Sequence, residues 1–163
     1  MKQASDFDRL LIAPEARPTS EIPYHHDTAP GVRRVFLEKK LFPEAEAYVM
    51  VRSASGVQSC QPGYIDAHAH SVSSIYLFIG AAGDLTGLRA EVILGEETFE
   101  VASPATVYIP GGMSHYSRII GGSGHFCHIV LKGDYRESLT EASGSRAAGR
   151  TPDHRSPHES GRR

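Results

Sequence analysis

The 163-residue chain has no tryptophan and only two cysteines, Cys60 and Cys127, which do not form a C-x-x-C pair. Nothing therefore implies a disulfide framework, and a reducing cytoplasm is the expected compartment. The N-terminus shows no charged-then-apolar leader, and no apolar run is long enough to span a membrane. Charge of one sign is also lacking. With a net charge of -2 and 22% charged residues, the balance points to neither nucleic acid nor an acidic membrane surface. A small molecule is the expected partner. At this length one domain with its own core is expected rather than two.

A sustained 3.6-residue apolar period is almost absent, which excludes a helical bundle. What the chain has instead is short apolar runs between turn residues: Val35-Phe36-Leu37, Ala47 to Val51, a run into His70, Ile75 to Ile79, Arg89 to Leu94, Thr98 to Val101 and Ala105 to Ile109. That pattern predicts an all-β chain, an antiparallel sandwich or barrel. Gly95-Glu96-Glu97 is expected to close a hairpin, and Gly121 to Gly124 to separate the strand after His115 from a last strand, His125 to Leu131. On Arg89 to Leu94 the apolar face, Ala90, Val92 and Leu94, is expected inside, with Glu91 outside.

The flanks differ in composition. Residues 1–32 carry Pro14, Pro18, Pro23 and Pro30 and one apolar cluster, Leu10-Leu11-Ile12, and predict an extended arm. Such an arm docks along the barrel or reaches a partner subunit, because its cluster needs a surface to bury against. The barrel is expected over 33–135. Residues 136–163 are expected to be a short helix, drawn from Tyr135 to Ala142, followed by a disordered tail that lacks apolar bulk. His25 and His26 on the arm read as solvated or capping groups, and His154 and His158 as tail residues.

Chemistry concentrates in two places. His68 and His70 in Asp66-Ala67-His68-Ala69-His70 alternate along an extended run, so both rings face one way and can approach one ion. His115 follows Pro110-Gly111-Gly112 and can supply a third nitrogen. By the same parity Asp66 is expected inside as a partner for a ligand imidazole, alongside Tyr64. Ser74, Tyr76 and Phe78 share one face, which brings Tyr76 to the substrate space as the candidate catalytic side chain. Parity leaves open whether His125 with Cys127, or Phe126 with His128, faces the interior. Cys127 reads as a buried structural thiol.

These two stretches resemble the paired motifs of the cupin superfamily, G-x5-H-x-H-x3-4-E-x6-G and G-x5-P-x-G-x2-H-x3-N. His68 and His70 match the first motif, and Pro110, Gly112 and His115 the second. The chain departs from the family at the motif glutamate, where Ser74 or Ile75 stands, at the second motif's opening glycine, replaced by Ser103 or Pro104, and at its asparagine, replaced by Ile119. The resemblance covers about residues 46 to 133. It implies an antiparallel jelly-roll β-barrel holding a divalent metal on His68, His70 and His115, and it implies a homodimer.

Three neutral nitrogens leave the ion its full charge and open positions, which suits binding of an oxygen pair, or of substrate with dioxygen on Fe(II). Imidazole also accepts Ni, Mn, Zn or Cu. The resemblance extends to three-histidine cupins that include thiol and diketone dioxygenases, so the first expectation is a metal-dependent oxygenase. A metal-dependent isomerase or lyase and a non-catalytic ligand-binding cupin are the alternatives.

Overall fold

A computed structural model describes residues 7–58 and 65–140. In chain order the strands are β1 Glu15–Ala16, β2 Val32–Leu37, β3 Tyr48–Val57, β4 Ser74–Gly80, β5 Leu88–Leu94, β6 Glu97–Ala102, β7 Ala105–Ile109 and β8 His115–Val130, followed by one helical turn, α1 Tyr135–Ser138. They form an antiparallel jelly roll in the order β1-β2-β3-β8-β4-β7, with β5 joined to β8 and β6 to β5. The expected all-β chain with a small terminal helix is what folds. Expectations for the tail, including His154 and His158, fall on 141–163 and lie outside the described residues, as do Cys60 and Tyr64.

β8 organises the fold. Its first half pairs with β5, from Leu94↔His115 to Leu88↔Gly122, and its second half lies between β3 and β4. The expected break at Gly121 to Gly124 does not occur, because the glycines bend a continuous strand. Gly122 has φ +85°, and a Cβ there would lie 1.9 Å from the Gly87 carbonyl oxygen. Only glycine fits that close approach without a shift of the neighbouring backbone. The ladder also slips by one residue between Arg89 and Ala90. Before the bend odd-numbered residues point inward (His115, Ser117, Ile119), and after it even-numbered ones do (Phe126, His128, Val130). A one-residue slip inverts strand parity, and this one settles the question left open by periodicity. His128 faces inward, whereas His125 is exposed and hydrogen-bonded through Nδ1 to Ser53 Oγ at 3.0 Å.

The interior is built from alternate residues of each strand. Tyr48, Met50 and Ala54 of β3, Tyr76 and Phe78 of β4, Leu88, Ala90 and Val92 of β5, and Phe126 and Val130 of β8 form one cluster. Ala90 and Val92 are inside as expected, and Glu91 is turned out to Arg118 Nε at 2.6 Å. Each fully buried large apolar side chain contributes about 1.5–3 kcal/mol. Phe78 stacks on Phe126 with centroids 5.2 Å apart, and Tyr76 meets the same ring edge-on at 4.9 Å. Such pairs add about 0.5–1.5 kcal/mol beyond burial.

The N-terminal segment docks on its own sheet through β1, where Glu15 faces Val35. Two buried arginines fasten it. Arg33 donates to the Pro18 carbonyl at 2.7 Å and to the Tyr48 hydroxyl at 2.8 Å, and Arg52 donates to Thr19 Oγ1 at 2.8 Å. Buried guanidinium groups are tolerated only when paired in this way. The Leu10-Leu11-Ile12 cluster does not find cover here, since Leu11 is 82% and Leu10 50% exposed.

Candidate metal centre

The run into His70 is not a regular strand. Residues 65–70 are held by single bridges, His25↔Ile65, His68↔His115 and His70↔Leu139. The segment is thus clamped between the start of β8 on one side and the chain after α1 on the other. His68 and His115 exchange backbone hydrogen bonds at 3.2 and 2.8 Å, Gly112 N–H donates to the His70 carbonyl at 2.7 Å, and Thr140 N–H donates to the Ala69 carbonyl at 3.0 Å. Because the run is irregular, the simple alternation expected for Asp66 fails. Its carboxylate is exposed and accepts from His26 Nε2 at 3.0 Å. Its backbone carbonyl, rather than the carboxylate, serves His68.

His68, His70 and His115 come together, each 1% exposed, with one ring nitrogen of each lying within 4.8 Å of the others. Their outer nitrogens are tied to oxygens. His68 Nδ1–H donates to the Asp66 carbonyl and His115 Nδ1–H to the Met113 carbonyl, both at 2.8 Å. His70 Nδ1 lies 2.7 Å from Ser138 Oγ, whose own hydrogen goes to the Tyr135 carbonyl at 2.6 Å, so Ser138 accepts from the imidazole. Each ring therefore carries its proton on Nδ1 and turns the Nε2 lone pair inward.

The inward nitrogens of His70 and His115 have no hydrogen-bond partner, and neither has that of His128. Unpartnered buried acceptors are costly unless a ligand supplies the missing bond. A proton is a poor candidate. Burial holds His68 down to about 4 and His70 to about 2, with the neighbouring imidazoles adding repulsion, and it lowers His115 as well. Neutral imidazoles with convergent lone pairs and hydrogen-bonded outer nitrogens are the donor set of a transition or zinc-group ion, so the residues fit one.

Other groups surround the three rings. Tyr76 is buried and stands edge-on to His115 at 5.7 Å and to His128 at 4.7 Å. Ser74, one of the two residues at the resembled glutamate position, is buried with its hydroxyl unpartnered. Glu91 is committed to Arg118 on the outside and leaves the centre without a carboxylate from β5. Tyr24, at φ +66°, stacks on His68 with centroids 5.6 Å apart and planes 5° apart. His25, expected to be solvated, is buried 5.3 Å from the His68 ring.

Sequence reasoning missed Tyr135, whose hydroxyl donates to His68 Nε2 at 2.8 Å, and Ser138. Both lie on α1, where the expected barrel ends at residue 135 and the short terminal helix was expected to begin. The local signal was Asp134, whose carboxylate caps the Arg136 and Glu137 N–H groups and starts the turn.

No protein-family model matches the chain, and no curated protein matches it. Similar solved structures include a conserved Streptococcus pyogenes protein of unknown function, at 18% identity and TM-score 0.42 over 63% of this chain and 74% of that one. An RmlC-like cupin from Shewanella frigidimarina is similar at 9% identity and TM-score 0.44, over 65% and 78%. Bacillus subtilis oxalate decarboxylase, described for its Mn(II) centres, is similar at 15% identity and TM-score 0.47 over 76% of this chain but only 31% of that one. In its paired histidine motifs and its antiparallel β-fold, what this chain is similar to is the cupin superfamily.

Proposed function

We propose that the chain is a metal-dependent cupin-type enzyme in which His68, His70 and His115 hold a divalent ion, Fe(II) in the first instance, and that it oxygenates a small molecule. The observation that carries this reading is the set of inward Nε2 lone pairs, two of them unpartnered in a buried centre. The ion would supply Lewis acidity and open positions for substrate oxygens and dioxygen. The protein's own residues do the rest. Asp66, Met113 and Ser138 orient the three rings through Nδ1, Tyr24 covers His68, and Tyr76 with His128 walls the space beside His115. With no carboxylate among the three, the centre favours an anionic or enolisable oxygen ligand that brings the missing negative charge.

The test is oxygen uptake by Fe(II)-reconstituted, tag-free protein offered a panel of small thiols and β-dicarbonyls. Uptake stoichiometric with loss of one panel member is the expected result. Turnover of an oxygenated acid or sugar under strict anaerobiosis would instead establish the isomerase or lyase reading, and a protein that retains no metal after reconstitution would end both.

The protein acts as a homodimer in this proposal. In register across β3, β8 and β4, the outer face carries Val51, Cys127 and Leu77 in one row and Val49, Ile129 and Ile75 in the next. Two adjacent all-apolar rows facing away from the core suit a second copy. Light scattering is expected to give twice the chain mass, and Leu77→Arg to give the monomer. A wild-type monomer at micromolar concentration would refute it.

A further inference from the structure

Ser74 or Ile75 stands at the resembled glutamate position, and among the described residues no carboxylate joins the three histidines at 4.8 Å spacing. An oxygen nevertheless stands at the centre. Tyr135 Oη lies 2.8 Å from His68 Nε2, and its ring is 4.9 Å from that of His70 and 6.2 Å from that of His68. Resting on the metal-binding reading, we infer that Tyr135 is the fourth protein ligand of the ion, through Oη.

Two physical arguments lead there. The first is spacing. Adjacent donors about 2.1 Å from one ion and at right angles to each other are about 3 Å apart. The 2.8 Å between Oη and Nε2 is a hydrogen bond along the His68 lone pair, so an ion that takes that lone pair displaces Oη from the line, and a sideways shift that leaves Oη about 3 Å from Nε2 brings it to bonding range.

The second is satisfaction. Tyr135 is 2% exposed, and its hydroxyl bonds to the His68 nitrogen that the ion would claim. An ion arriving at His68 thus removes the phenol's acceptor and strands a buried hydroxyl, at a cost, unless Oη turns to the ion. The backbone holds it in place to do so. Tyr135 opens α1 behind the Asp134 cap, and Ser138, one turn later, bonds both the Tyr135 carbonyl and His70 Nδ1. One helical turn therefore delivers an oxygen donor and orients one nitrogen donor. Tyrosinate is an established iron ligand elsewhere, and here the O–H bond breaks as the Oη–ion bond forms, the proton leaving to solvent.

Tyr135→Phe gives results of opposite sign for the two roles the hydroxyl can have. If Oη is a ligand, Co(II) affinity of the full chain falls by about tenfold or more. If Oη only caps His68 and competes with the ion, deleting it leaves affinity unchanged or raises it, and the inference is overturned. A second readout uses the wild type and does not depend on the variant folding. Fe(III)-loaded protein is expected to show a visible phenolate-to-iron charge-transfer band, and a colourless Fe(III) complex overturns the assignment. Wild type that takes up neither ion defeats the metal-binding reading itself, whereas wild type that binds while the variant binds as tightly defeats only the role of Tyr135.

Discussion

Replacing His115 by Ala lowers the affinity for a divalent ion by about a hundredfold or more, since loss of a mere supporting partner of a ligand already costs about 10–100-fold. His70→Ala does the same. Both variants remain folded at neutral pH, because the core rests on Tyr48, Phe78, Phe126 and the aliphatic residues of β3, β5 and β8 rather than on the imidazoles. The informative control is His125→Ala. It removes an exposed histidine from the same strand as His115, one that contacts Ser53 and not the centre, and it leaves affinity unchanged. Isothermal titration with Co(II) and elemental analysis after dialysis measure all three. Stoichiometric metal retained by His115→Ala would show that the ion, if any, sits elsewhere.

Acidification destabilises the metal-free protein through the same side chains. Burial holds His68 to about 4, His70 to about 2 and His25 to about 3, against an ordinary value of 6.5. A depressed folded value means that the unfolded chain takes up protons first as the pH falls. The stability contributed by these neutral rings is therefore fully present above pH 6.5 and is lost progressively below it, down to about 4 for His68 and lower for the other two. Each pH unit below the ordinary value removes up to about 1.4 kcal/mol per ring, and because the charged rings repel one another their contributions overlap rather than add. Against a domain stability of about 5–15 kcal/mol, even part of this is a large loss. His115 and His128, also depressed by burial, act in the same direction. Thermal melts followed by circular dichroism between pH 7.5 and 4 are expected to show a steep fall in Tm and unfolding near the acid end. An equal Tm at both limits would mean that the imidazoles are not held neutral.

The part of this centre legible in the sequence was the part set by local periodicity. Two histidines separated by one residue on extended backbone share a side, and Pro110-Gly111-Gly112 ahead of His115 marks a turn that leads into a strand. The inward set Ser74, Tyr76, Phe78 and the outward Glu91 follow from the same alternation, and the structure has them so. Alternation fails wherever the ladder slips. Asp66 was misplaced because residues 65–70 are pinned by isolated bridges rather than by a regular ladder.

The class of fold and the shared side of His68 and His70 were written in adjacent positions, because strand parity and turn chemistry act over a few residues, whereas the pairing of His115 with them rested on the resemblance of the two motifs. What completes the centre depends on contacts between distant parts of the chain. His128 faces inward because β8 changes parity at its glycine bend, and a bulge leaves no periodic trace. Tyr135 and Ser138 reach His68 and His70 across separations of 67 and 68 residues. That approach depends on the path of the whole chain through the jelly roll, since the capped turn at Asp134 specifies a helix start and says nothing about what the helix will cover.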